Sequence, residues 1–143
     1  MTVRVKKLDE NATLPTYGTE FSAGADLYAL AAETIAPGET KLIHTGIAME
    51  IPEGFGGFLY ARSGLATKRG LAPANKVGVI DADYRGEIMV ALHNHSAKAE
   101  TVEAGERVAQ LVIAPFLHAS FEESEELCDT QRGEGGFGST GKK

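Results

Sequence analysis

A chain of 143 residues has room for one domain with a real core and not for two of ordinary size. Its 43% hydrophobic content excludes wholesale disorder, and a net charge of −6 excludes general nucleic-acid binding, which needs a basic face. No charged-then-apolar leader and no apolar run near the ~20 residues that span a bilayer occur, so a soluble, cytoplasmic protein without a membrane partner is expected. The single cysteine, Cys128, cannot form an internal disulfide, which fits a reducing cytosol. It lies among Glu122, Glu123, Glu125, Glu126 and Asp129 and is read as incidental and not as a nucleophile.

In chain order, Val3 and Val5 alternate with Arg4 and Lys6, a short strand pattern that Pro15 and Gly18 break. AGADLYA (23–29) opens an apolar run that ends near Pro37-Gly38. Leu42, Ile43, Ile47, Met49 and Ile51 predict a strand or strand pair, closed by Pro52-Glu53-Gly54. Phe55, Phe58 and Tyr60 interleave with glycines in the next strand. Residues 62–72 are the one predicted helix, with Ser63 as N-cap and Gly70 as stop. After the turn at Asn94 to Ala99, a brief strand is predicted at Thr101 to Glu103, and a long β-prone run from Val108 to Phe121. Short strands with frequent turn signals and almost no helical period point to an all-β sandwich, barrel or jelly roll.

Two stretches exceed what structure alone requires. Gly78 to Glu87 reads GVIDADYRGE: an apolar run, two acids, a tyrosine, an arginine and a second apolar run from Ile88. The pattern predicts a β-hairpin; Asp81 and Asp83 either favour the turn, as Asp often does, or serve chemistry. Arg62, Lys68, Arg69, Lys76 and Arg85 fall in one central stretch poor in acids, enough to hold a small anion. The tail ends RGEGGFGSTGKK, and five glycines between Gly133 and Gly141 cannot support a regular element of their own. It is either a disordered end or, with Arg132, Ser139 and Thr140, a run of free backbone N–H groups suited to phosphate. It lacks P-loop spacing and opens no helix.

AGADLYA (23–29), ARSGLA (61–66), GVIDADYRGE (78–87), GERVAQLV (105–112) and RGEGGFGSTG (132–141) occur in that order. The sequence thereby resembles the trimeric dUTP pyrophosphatases (dUTPases) over nearly its whole length. The resemblance implies an all-β, jelly-roll-like (β-clip) subunit with one short helix, a core over 1–121 and an acidic linker with a flexible glycine-rich tail over 122–143. It also implies a homotrimer with active sites shared between subunits. The implied reaction is Mg²⁺-dependent hydrolysis of dUTP to dUMP and pyrophosphate, which keeps uracil out of DNA and supplies dUMP for dTMP synthesis.

Carried over by motif, Asp81 is the catalytic acid that orients and deprotonates a water for attack on the α-phosphorus, a contribution of about 10²–10⁴ in rate. Asp83 supports the turn or a neighbouring arginine. Tyr84 lies under the deoxyribose and leaves no room for a 2′-hydroxyl. Gly78 and Val79 hold uracil through backbone groups, with Asn75 as side-chain partner. Arg62, Ser63 and Gly64 bind phosphate at the start of the helix, where free N–H groups favour an anion, Gln110 reaches the phosphates, and Ser63 and Gln110 count with Asp81 as catalytic. Asp26 acts on Mg²⁺ through its water shell, because Mg²⁺ keeps several waters and takes ligands from phosphates. In the tail Phe137 stacks on uracil, while Arg132, Ser139 and Thr140 close on the γ-phosphate and Gly138 also binds substrate.

Ala61 and Ala25 depart from the residues many relatives carry, which touches loop rigidity more than chemistry. His93 and His95, at i and i+2 on one strand face, have a spacing that can bind zinc, but lack an evident third ligand. A dCTP deaminase shares the expected subunit fold, yet would need a glutamate where Ala91 stands. A non-catalytic dUTP-binding regulator is disfavoured by Asp81 and the intact tail, and a purely structural β-trimer leaves Tyr84 and Phe137 unexplained.

Overall fold

The computed structural model describes residues 1–137. The apolar runs of the sequence become β1 (Arg4–Lys7), β2 (Thr16–Tyr17), β3 (Ala25–Tyr28), β4 (Glu33–Ile35), β5 (Thr40–His44), β6 (Ile47–Glu50) and β7 (Phe55–Tyr60). A short helix, α1 (Ser63–Arg69), precedes β8 (Leu71–Pro73), β9 (Gly78–Ile80), β10 (Met89–Asn94), β11 (Glu100–Val102) and β12 (Arg107–Pro115). The largest sheet has the order β2-β3-β12-β7-β9, a second has β5-β10-β8, and two ribbons join β1 to β6 and β4 to β11. Neighbours distant in sequence and antiparallel pairing throughout give the expected jelly-roll-like β-subunit.

Period-two alternation decides what each strand buries. In β3, Ala25 and Leu27 point inward, so Asp26 and Tyr28 point out. In β10, Val90 and Leu92 enter the core together with Asn94, whose buried amide donates to the Ile35 and Lys98 carbonyls. Val90 and Leu92 join Ile35, Ile43, Ile47, Leu71, Val102 and Val108 in one continuous cluster. Each such aliphatic side chain, fully removed from water, contributes about 1.5–3 kcal/mol.

The sequence-based reading needs four corrections. The stretch Gly78 to Glu87 does not connect the arms of a β-hairpin: β9 pairs with β7, whereas β10 pairs with β5 and β8 in another sheet. The N-cap of α1 is Arg62, with no side-chain cap bond, so Ser63 is the first helical residue and its hydroxyl is not spent on capping. The helix stops at Arg69 because Gly70, at φ 68°, turns left-handed and gives its N–H to the Ala66 carbonyl; residues 71–73 are already strand. The last strand ends at Pro115, so Phe116 to Phe121 lie beyond it, exposed.

Candidate functional site

The segment after β9 is wound into a compact loop. Tyr84 N–H donates to the Asp81 carbonyl at 3.1 Å, and Arg85 turns back onto the Ala82 and Tyr84 carbonyls at 2.6 and 3.0 Å. The phenol of Tyr84 donates to the Glu87 carbonyl at 2.9 Å. The loop and the two diverging strands border a cleft of about 280 Å³, whose lining includes Leu59, Asn75, Gly78, Val79, Asp81 and Tyr84, together with Glu87, Met89 and Ala91. Val79 and Tyr84, 64% and 42% exposed, present an apolar wall and the open part of a ring to this cleft. Gly78 is buried with its backbone on this wall, where an added Cβ would lie 3.1 Å from Leu59. Asp83 faces elsewhere, lining a separate hollow with Arg4, Glu50 and Arg85.

A second cleft, of about 560 Å³, has Gly24, Asp26, Arg62, Ser63, Gly64, Arg107 and Gln110 in its lining, together with residues 18, 22 and 23. Asp26 is its organising charge. Its Oδ1 accepts from Arg62 Nε at 2.8 Å, and its Oδ2 lies 3.4 Å from Arg107 Nη1. Two guanidinium groups around one carboxylate leave a net positive site, suited to a polyanion. Gln110 donates from Nε2 to the Ala61 carbonyl at 2.9 Å, and Gly24 gives it room: a Cβ there would stand 2.5 Å from Gln110 Oε1.

Arg107 escaped the sequence-based reading, and its arrival here has a backbone cause. Three residues apart on a regular strand, Arg107 and Gln110 would face opposite sides. In β12 the register against β3 shifts between them, with Arg107 opposite Tyr28 but Ala109 opposite Leu27. The irregularity admits one extra residue, as a β-bulge does. Val108 and Ala109 are therefore both buried in succession, and Arg107 and Gln110 both reach the cleft.

A family model described as dUTPase matches residues 10–141. The chain belongs to the dUTPase family. It is 51% identical over 142 residues to the deoxyuridine 5′-triphosphate nucleotidohydrolase of Nautilia profundicola, covering 99% of this chain and 100% of that one. It is 50% identical over 144 residues to the enzyme of the same name from a Hydrogenobaculum species, with 100% of both chains covered. Among solved structures, a mutant dUTPase of Staphylococcus bacteriophage 80alpha with dUpNHpp superposes with a TM-score of 0.92 at 31% identity, over 98% of each chain. A mutant dUTPase from phage phi11 of S. aureus, whose structure concerns a structural Mg(II) ion, has a TM-score of 0.81 at 28% identity, over 88% of this chain and 98% of that one. The chain is accordingly an enzyme that hydrolyses dUTP.

Within this dUTPase the expected site residues divide into two groups. Asn75, Gly78, Val79, Asp81 and Tyr84 share the first cleft; Asp26, Arg62, Ser63, Gly64 and Gln110 share the second. Neither cleft is lined by a tail residue among the described ones. Arg132 instead donates to the Gly135 carbonyl at 2.8 Å, and Phe137 stands fully exposed. Gly138, Ser139 and Thr140 lie outside the described residues. His93 bonds through Nδ1 with Thr40 Oγ1 at 2.9 Å, and its ring meets that of His95 edge-on at 4.4 Å between centroids. Among the described residues no group of three or more His, Cys, Asp or Glu side chains gathers to hold a metal. No helix among them is long and apolar enough to cross a membrane.

Proposed function

We propose that this cytoplasmic enzyme hydrolyses dUTP to dUMP and pyrophosphate with Mg²⁺, as a homotrimer whose active sites draw on more than one subunit. The observation that carries this reading is the division of the site between two clefts of one chain. One has an exposed ring, backbone groups and a carboxylate; the other has the cations. Apposing the first cleft of one copy to the second cleft of a neighbour supplies both, and the tail of a third copy closes the site over residues 122–143.

Uracil lies against Gly78 and Val79 and bonds to their backbone groups and to Asn75. A base with the wrong donor pattern leaves those groups unpaired, which is a strong basis for rejecting cytosine. The methyl group of thymine is refused by bulk. The deoxyribose rests on Tyr84, and Phe137 of the tail stacks on the base. Arg62, Ser63, Gly64, Gln110 and Arg107 take the phosphates, and Arg132, Gly138, Ser139 and Thr140 complete their enclosure. Asp81 orients a water and accepts its proton as the oxygen bonds to the α-phosphorus. The bond from that phosphorus to the bridging oxygen breaks in line, and pyrophosphate leaves.

The donor set fits a Mg²⁺ that arrives on the triphosphate. Asp26 is the acid of the cation-rich cleft and is already shared by two guanidinium groups, so it suits the waters of such an ion and not a protein cage. When bound, the ion supplies charge neutralisation on the phosphate oxygens. Roles in keeping uracil out of DNA and in supplying dUMP for dTMP synthesis follow from the reaction.

Incubation with dUTP and Mg²⁺, followed by separation of products, tests the reaction. Equal amounts of dUMP and pyrophosphate are expected, and dUDP with inorganic phosphate would place the attack at the wrong phosphorus. A fully active monomer on sedimentation would rule out shared sites. A dCTP deaminase is the rival on the same fold; Ala91 lines the first cleft where that reaction needs a carboxylate, and release of ammonia from dCTP would favour it.

A further inference from the structure

The loop that carries Asp81 and Tyr84 is held to itself by the local bonds of Tyr84 and Arg85. Its far end is tied down quite differently. Glu87 Oε1 accepts the Gly46 N–H at 2.8 Å, and Glu87 Oε2 lies 2.9 Å from His44 Nδ1, so one carboxylate grips the connection between β5 and β6. The next residue continues the grip: Ile88 N–H donates to the Ile47 carbonyl at 2.8 Å, and the buried Thr45 hydroxyl donates to the Ile88 carbonyl. The backbone carbonyl of that same Glu87 is the acceptor for the Tyr84 phenol. Gly86 completes the seat, because a Cβ there would lie 2.4 Å from the Tyr84 hydroxyl oxygen. The ring is thus fixed from below by an absent side chain and at its tip by a carbonyl that is itself anchored.

We propose that Gly86 and Glu87 form the seat of Tyr84, and that Glu87 is the positioning residue that sets the enzyme's selectivity for deoxyribose over ribose. The proposal rests on the reading of Tyr84 as the surface beneath the sugar. A 2′-hydroxyl is excluded by contact only if the ring cannot retreat, and a ring on an exposed loop retreats at little cost unless its tip is tied. Both carboxylate oxygens of Glu87 are engaged by Gly46 and His44, so Glu87 acts through the ring. It converts the stiffness of the β5–β6 connection into a fixed height for the ring.

The test compares kcat/KM for dUTP and for UTP, with melting temperature, in the full-length protein and its variants. Glu87→Ala should lower the dUTP-to-UTP ratio by at least about tenfold, the scale on which a pocket contact discriminates. Glu87→Gln should restore most of the ratio, since its amide oxygen still accepts from Gly46 and its amide nitrogen can donate to His44 Nδ1. Gly86→Ala, which displaces the ring directly, should lower the ratio as well. His44→Ala removes one of the two anchors and gives a smaller loss in a variant that leaves the core intact, should Glu87→Ala fail to fold. Equal losses of dUTP and UTP turnover in Glu87→Ala or His44→Ala, or a lower melting temperature with an unchanged ratio, would mean a clamp of purely structural value and overturn the proposal. Tyr84→Ala separates the two layers. If it relaxes the ratio while Glu87→Ala and His44→Ala do not, the seat is wrong and the reading of Tyr84 stands; if it leaves the ratio unchanged, both fall.

Discussion

The cleft beside β9 and the cleft around Arg62 open off the same five-stranded sheet, yet their side chains are held in different ways. On the β9 side the lining offers backbone groups and one ring seated over a glycine, and the ion pairs of the described residues do not include Asp81. On the other side the charged groups and the amide already have protein partners: Arg62 and Arg107 have Asp26, and Gln110 has the Ala61 carbonyl. The first cleft waits with a fixed shape. The second holds its charges in internal pairs that an anionic ligand would have to displace. Shape preorganised in backbone serves discrimination between similar bases and sugars, whereas exchangeable charge pairs serve capture and release of a polyanion.

The sharpest way to break this contrast is to remove the chemistry from one cleft only. Asp81→Asn should lower kcat by about 10²–10⁴ while dUTP still binds, as measured by calorimetry; near-normal turnover would take Asp81 out of its role. Truncation after Gln131 should also abolish efficient turnover with no loss of melting temperature, because β12 ends at Pro115. Mixing the two inactive proteins under conditions of subunit exchange should regain activity if sites are shared. No recovery despite demonstrated exchange would mean that each subunit works alone.

Arg107→Met is the next largest. Loss of a charge-assisted contact is expected to raise KM for dUTP about 10- to 100-fold. Deoxyuridine, which lacks phosphates, should bind as before. Equal weakening of deoxyuridine would show that the two clefts are not independent. Gly24→Ala is smaller: its Cβ would meet Gln110 Oε1 at 2.5 Å, so Gln110 must swing or β3 must yield. A fall of about tenfold in kcat/KM for dUTP is expected, within the range that a misplacement near 1 Å can cause. Unchanged kinetics would show that Gln110 adapts freely.

The same contrast explains what was legible in the sequence. The apolar run from Ile88 marked the strand that becomes β10, and the five ordered motifs singled out Asp81, Tyr84, Arg62 and Gln110. The divergence of β9 and β10 into separate sheets was not legible, since two β-prone runs with a short polar link carry no record of their partners. Ser63 as N-cap was a reasonable local choice, but the helix begins one residue earlier in its cap, at Arg62. Arg107 was hidden by the period-two rule itself; only the apolar doublet Val108-Ala109 hinted at the register shift that brings it round. The pairing of Asp26 with Arg62 joins residues 36 positions apart, a separation at which local patterns are silent.

The smallest expected effect concerns how the second cleft is braced. Arg69, in the last turn of α1, bonds Glu100 through Nε at 2.9 Å, Glu106 through Nη1, and the Thr101 carbonyl. It thereby ties the helix that follows Arg62 to the turn that precedes Arg107. The bond from Arg69 holds the carboxyl of Glu100 below the usual carboxylate range, against the opposing effect of its burial, and Lys98 adds to the lowering. A carboxylate whose folded pKa is depressed contributes stability that is present above its unfolded value of about 4.3 and is lost as pH falls through the folded one. Arg69→Met should therefore lower the melting temperature at pH 7, and the gap from the parent protein should narrow as the pH is taken below 4. Because the brace spans the anion cleft alone, KM for dUTP should rise slightly and the dUTP-to-UTP ratio should stay put. A gap that is constant with pH would assign the loss to packing of the Arg69 stem and not to the Glu100 pair. A changed ratio would mean that strain in the charged cleft reaches the shaped one.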